Sequence, residues 1–252
     1  MVSGTTAEPC TLGDLIPEGV FVGTSLILCQ RGRLLYGVRP PQAEGSRGIL
    51  QLTGIGGGVE DEDESLTAAV LREAREEIGG SVHLVSCRET VVVRGPHHVE
   101  RVMLEGDERP AAVVFRCYRT PPHQPWHEDN QGEACLVVFL AELGEGPAHG
   151  TPHEPQKRGN LSGPHSEHGS PWPAAELPAL VWLKPLQVVE TARQDVPLAR
   201  LVESGAELVE GLPGSLPRTA WARLTDSQEA LALALGDSAL SFYEAFVGGP
   251  RP

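Results

Sequence analysis

The sequence predicts an α/β fold in the α+β sense. Three observations carry this. Short apolar runs of strand length alternate with turn signals through the front half. One amphipathic stretch, about Ser65 to Ile78, has helix start and stop residues at its two ends. Weaker helical patterns follow a last apolar run at Ala179 to Leu183.

In chain order, Gly19 to Cys29 reads as a β-rich run, and Arg31-Gly32-Arg33 as a hairpin turn into Leu34 to Val38. A Pro/Gly-rich loop, Arg39 to Gly48, leads to the run Ile49 to Leu52 and then to the glycine cluster Gly54 to Gly58. In the helix that follows, Ser65 is a good N-cap type, acids are expected to crowd the first turn, and Gly79-Gly80 stop it. Val91 to Val93, Ala111 to Tyr118 and Ala134 to Glu142 read as further strands. Residues 144 to 178 are rich in Gly, Pro, His and Ser without any period, and are expected to form a mobile surface insertion. Helices are expected near Leu198 to Glu203 and over Ser227 to Leu235, the latter capped by Asp226 or Ser227. The division expected is one domain over about 15–225 and a C-terminal helical extension over 226–252.

With 252 residues the chain is long enough for a sizeable core. Asp and Glu number 34 against 20 Lys and Arg, a formal charge of −14, which argues against a nucleic-acid polymer as partner because phosphate contact needs a basic footprint. It leaves small phosphate-bearing substrates open, since a bound cation inverts the sign locally. No run approaches 18 consecutive apolar residues, so no membrane-spanning helix is expected, and the first residues show no secretory pattern. Five cysteines without CxxC spacing read as reduced, mostly buried side chains and point to the cytoplasm.

The chemistry concentrates in Gly58 to Gly80. On a helical wheel, Glu73, Glu76 and Glu77 fall within an arc of roughly 100°, beside the apolar stripe Val70, Ala74 and Ile78. Like charges at these spacings each cost a helix about 0.2–0.5 kcal/mol unless a cation lies between them. A hard divalent ion with oxygen ligands meets that need. The alternative is a solvated acidic face. Gly58, Glu64, Arg72, Glu73, Glu76, Glu77 and Gly79 also fit the spaced pattern G-x5-E-x7-R-E-U-x-E-E-x-G-U, U being small or aliphatic. Seven fixed positions, each met by chance at about 10%, give roughly 10⁻⁷ per window.

This segment resembles the Nudix box, and the protein resembles the Nudix hydrolase family. Two positions depart from the family pattern: Gly80 stands where an aliphatic residue is usual, and Thr53-Gly54-Ile55-Gly56-Gly57 lacks the usual proline. The resemblance implies a mixed β-sheet sandwiched between α-helices. It implies hydrolysis of a nucleoside diphosphate linked to another moiety, giving a nucleotide and a phosphorylated product. It further implies Mg²⁺ or Mn²⁺ held by Glu73, Glu76, Glu77 and the Gly57 carbonyl, with Glu76 or Glu73 helping to deprotonate water. Arg72 and Glu64 would form an ion pair orienting these acids. A downstream glutamate often serves as general base, and Glu133 and Glu176 are the foremost candidates, each flanking a strand; either is alternatively a solvated surface acid. Pro96, sixteen residues past Gly80, matches a spacing of ADP-ribose-type members. Trp126 and Trp172 are candidate stacking partners for a base, whereas Trp182 reads as core. His149, His153, His165 and His168 read as a solvated loop rather than a metal site. The partners expected are a nucleotide, no membrane, and a candidate homodimer. The rival reading is a catalytically silent Nudix-fold module that binds nucleotide or regulates.

Overall fold

The computed structural model describes residues 10–40, 49–79, 81–95, 98–106, 109–117, 133–144, 177, 179–210, 216 and 219–247. The chain opens with a one-turn helix α1 (Leu12–Leu15), then β1 (Phe21–Gln30), β2 (Arg33–Arg39) and β3 (Ile49–Thr53). Helix α2 (Leu66–Ile78) follows, then β4 (Val82–Val85), β5 (Thr90–Val93), β6 (Val99–Val102), β7 (Ala112–Cys117) and β8 (Glu133–Leu143). The last part holds β9 (Ala179–Leu183), α3 (Pro185–Arg193), β10 (Val196–Pro197), α4 (Leu198–Glu203), β11 (Glu207–Glu210), β12 (Trp221–Leu224), α5 (Asp226–Leu235) and α6 (Ala239–Val247).

The strands form one mixed sheet in the order β10-β12-β3-β2-β1-β8-β7-β5-β6, with β9 pairing β2 and β11, and β4 pairing β8. Strand β1 lies in the middle, parallel to β8 and antiparallel to β2. Its residues Leu26, Ile27 and Leu28 are all buried, because both sheet faces are covered. Leu26 and Leu28 join Val70 and Ala74 of α2 on one face; Ile27 joins Val188 of α3, Leu231 of α5 and Tyr243 of α6 on the other. The result is a mixed sheet between helices, as the resemblance implied. Strand alternation sends neighbouring residues to opposite cores, and a one-residue slip would exchange them.

Helix α2 begins and ends where its sequence signals lie. Ser65 accepts a hydrogen bond from the Ala68 amide at 3.0 Å, and Gly79, at φ +65°, donates its N–H to the Arg75 carbonyl at 3.1 Å. One expectation fails: no acid occupies the first turn. Instead Asp63 and Glu60 close a separate turn before the cap, with the Glu60 amide donating to Asp63 Oδ2 at 2.8 Å. The short Asp side chain competes well for local backbone donors, which favours turns over helix interiors.

Strands β4, β6 and β10 to β12 and helices α1 and α3 are not among the elements expected from the sequence, although Pro185 at the first position of α3 is a recognisable start signal; α6 falls within the helical stretch expected over 226–252. Helix α5 is flanked by Thr225, whose side chain makes no capping bond, rather than by the expected Asp226 or Ser227. Together α5, a single 3₁₀ turn and α6 make a run, Asp226–Val247, of 22 residues, whose most apolar 18-residue window has mean hydropathy 1.3. By length and composition alone it is apolar enough to cross a membrane, which counting consecutive apolar residues does not detect. Its Leu231, Leu235, Phe242 and Tyr243 belong to the core cluster shared with the sheet, as expected of a packed helix.

Cys135 is buried, whereas Cys10, Cys29 and Cys87 are half-buried, and all four are free thiols. Burial pushes the Cys29 and Cys135 thiols up to about 12 and Cys87 up to about 11, so they carry no thiolate nucleophile at neutral pH.

Candidate active site

After β3 the chain runs back along β1 as a short antiparallel ladder. The Leu26 amide donates to the Ile55 carbonyl at 2.6 Å and the Thr24 amide to the Gly57 carbonyl at 2.8 Å. Two glycines shape this turn. Gly56 has φ +150°, and a Cβ there would collide with the Thr24 carbonyl oxygen and stand 2.8 Å from Ser25 Cα. A Cβ on Gly57 would lie 2.6 Å from Glu73 Oε1, so the Glu73 carboxylate rests directly against the turn.

Helix α2 lies on β1 and presents its acids to this turn. Glu77 is the most enclosed, 7% exposed; its Oε2 accepts the Gly56 N–H at 2.8 Å and its Oε1 lies 3.9 Å from Arg39 Nη2. Glu73 is 14% exposed and accepts from Arg72 Nη1 at 2.7 Å. Glu76 is 40% exposed, with Oε2 at 3.7 Å from the same nitrogen. One guanidinium thus offsets the repulsion between two of the box acids, a role the sequence left to a metal ion.

Arg72 also straps the loop to the helix. Its Nε and Nη2 donate to the two oxygens of Asp63 at 3.1 and 2.9 Å, and Nη2 donates to the Gly58 carbonyl at 3.0 Å. This forked geometry adds direction to charge. Asp63 therefore takes the place expected of Glu64, which is exposed. The reason is the turn closed by Asp63 and Glu60, which aims Asp63 back at the helix. No linear signal picks one acid out of Glu60-Asp61-Glu62-Asp63-Glu64.

The Arg72 hydrogen bonds, aided by the Glu60 amide, hold the Asp63 carboxyl below its ordinary 3.8, and Asp63 in turn raises Arg72 further above its usual range. A carboxylate with a depressed value stabilises the fold above its ordinary pKa, and that contribution is lost as pH falls through the depressed one. Asp63→Asn is therefore expected to lower the urea midpoint at pH 7, with the gap from wild type closing below about pH 4. Equal gaps at pH 7 and pH 3 would show that charge pairing is not what Asp63 supplies.

Phe21, the first residue of β1, is 53% exposed, and its Cζ stands 3.7 Å from where a Cβ on Gly58 would be. The parallel register pairs Phe21 with Ala134, which brings the backbone of Glu133 to the same end of the sheet as Gly58. Glu176, Gly80, Pro96, Trp126, Trp172, His149, His153, His165 and His168 lie outside the described residues. Trp182 is half-buried and packs against the core on the α2 face. The sequence reading missed Asp63, Arg39 and Phe21; of these, only the exposed aromatic at a strand end carries a local signal.

Among the described residues, no three Asp, Glu, His or Cys side chains are gathered as a metal site. Glu77 is turned to the Gly56 amide and Glu73 to Arg72. The donor chemistry nevertheless suits a hard divalent ion: carboxylates on adjacent turns of one helix, one of them against the Gly57 peptide.

A mixed sheet between helices, with a glutamate-bearing helix seated on a glycine turn, defines the class. The family model of the NUDIX domain matches residues 21–158, a little over half of the chain, and the chain belongs to that family. Among solved structures, a NUDIX hydrolase from Nitrosomonas europaea is similar at 15% identity over 50% of this chain and 60% of its own, TM-score 0.30. The E. coli dihydroneopterin triphosphate pyrophosphohydrolase is similar at 15% identity over 68% of this chain and 87% of its own, TM-score 0.35. An ADP-ribose pyrophosphatase from Streptococcus suis is similar at 15% identity over 49% of this chain and 60% of its own, TM-score 0.26. No curated protein sequence matches the chain.

Proposed function

We propose that the chain is a divalent-metal-dependent pyrophosphohydrolase. It hydrolyses a nucleoside diphosphate linked to another moiety, ADP-ribose or a related nucleotide, to a nucleotide and a phosphorylated product. The observation that carries the reading is the seating of Glu73, Glu76 and Glu77 against a glycine turn that admits no side chain at position 56, with the Glu73 carboxylate filling the space beside Gly57.

In this reading Mg²⁺ or Mn²⁺ is held by Glu73, Glu76, Glu77 and the Gly57 carbonyl. When bound, the metal shields the diphosphate charge and acidifies the attacking water. The residues divide the remaining work. Glu77 keeps the Gly56 amide in place while its other oxygen faces Arg39. Arg72 holds Gly58 and Glu73 together. Glu76, the most exposed of the three acids, is the group best placed to accept a proton from water, with Glu73 as alternative and Glu133 or Glu176 as downstream bases. Phe21 stands exposed beside Gly58. Residues 15–225 are assigned to the hydrolase domain and 226–252 to a helical extension, whose α5 and α6 complete one face of the core. Free, protonated thiols at Cys29, Cys87 and Cys135 support a reducing, cytoplasmic setting.

The test is a panel of ADP-ribose, dinucleoside polyphosphates, sugar nucleotides and oxidised dNTPs, each with and without Mg²⁺ or Mn²⁺. The expected result is metal-dependent release of a nucleoside monophosphate from at least one class. Tight nucleotide binding without turnover of any of them would favour the silent binding module instead.

A further inference from the structure

We infer that Gln228, on a C-terminal helix outside the segment matched by the family model, is a positioning residue for the acid-bearing turn. The inference rests on the reading of that turn as a metal-binding site. Helix α5 starts at the foot of the turn because β12 runs parallel to β3, pairing Leu224 with Leu52, and the Thr225 amide donates to the Leu52 carbonyl at 2.8 Å. Gln228, in the first turn of α5, is thereby pointed under the glycines. It is 1% exposed, and its Nε2 donates to Ser25 Oγ at 3.3 Å across 203 positions of sequence. A Cβ on Gly54 would collide with Ser25 Oγ and lie 2.9 Å from that same Nε2. The amide therefore packs on the turn itself.

From Ser25 the path to the acids is short. Ser25 and Thr24 form the backbone against which Gly56 is pressed; Gly56 donates to Glu77, and Gly57, its carbonyl fixed by the Thr24 amide, lies with its Cα against the Glu73 carboxylate. The Gln228 Oε1 is buried with no hydrogen-bond partner among the described residues. A methionine would fill the same volume without that penalty, so the useful part of the side chain here is its donor.

The test uses the full chain with Gln228→Met, which keeps volume and removes the donor, and Ser25→Ala, which removes the acceptor. Mn²⁺ alone is titrated without substrate and followed by electron paramagnetic resonance, beside Tm and the kcat and KM of the panel's best substrate. Gln228→Met is expected to keep or raise Tm, yet weaken Mn²⁺ binding about 3- to 10-fold. Its kcat is expected to fall while substrate KM moves little. Ser25→Ala is expected to give the same loss, and the double variant no more than either, as for two ends of one contact. A purely structural role would lower Tm and leave the Mn²⁺ constant unchanged, overturning the inference. Wild-type binding of Mn²⁺ matched by both variants overturns this inference alone. A wild-type chain that binds no Mn²⁺ overturns the site reading and this inference with it.

Discussion

Glu76→Gln lowers kcat by at least about 10²-fold and leaves Tm within about 2 °C of wild type. The split follows from where Glu76 stands. It is 40% exposed and only 3.7 Å from Arg72, a distance at which a solvent-facing charge pair is worth about 0–1 kcal/mol. An amide of the same shape therefore costs the fold little. The chemistry is less forgiving, because an amide binds a hard divalent ion more weakly than a carboxylate and accepts no proton from water. Steady-state kinetics at saturating Mn²⁺, paired with thermal unfolding, make the check. Full activity in this variant would remove Glu76 from the machinery and, with it, the main support for the hydrolase reading.

Gly56→Ala gives the largest loss of stability, roughly 3 kcal/mol or more, a fall in Tm of about 6–12 °C for a chain of this size. Two costs add. At φ +150° an alanine is strained in any surroundings, and here its Cβ would also collide with the Thr24 carbonyl, a backbone atom fixed in the central strand. Relief requires the turn to lift off β1, which withdraws the Gly56 amide from Glu77 and the Gly57 carbonyl from the Thr24 amide. Activity should consequently fall further than the unfolded fraction explains. A variant with wild-type Tm would mean that Gly56 is not pressed against the Thr24 carbonyl in solution.

These two residues also show how far the linear sequence reaches. Glu76 is visible in it, because the spacing of Glu73, Glu76 and Glu77 follows from helical periodicity, and the helix ends are written in Ser65 and Gly79. The need for glycine at 56 is visible only as a cluster. That position 56 meets the Thr24 carbonyl, and position 54 meets Ser25 and Gln228, depends on strands that the chain brings together from far apart. The last part of the chain illustrates the same limit: α5 and a helical C-terminus are legible, yet α3 and most late strands are not, since their short apolar runs acquire a face only against the rest of the core.

By itself the sequence determined the family, the acid-bearing helix with its two caps, the glycine turn before it and the run of β1. All of these rest on signals local in the chain, the longest running from Gly58 to Gly80, where capping, periodicity and spacing act. Tertiary structure alone decided that Asp63 rather than Glu64 grips Arg72, that Arg39 approaches Glu77, and that a helix near the C-terminus reaches the glycine turn. Such pairings join groups whose chemistry is common along the chain. A chain with 34 acids offers many partners to each arginine, and only the folded path of the backbone chooses among them.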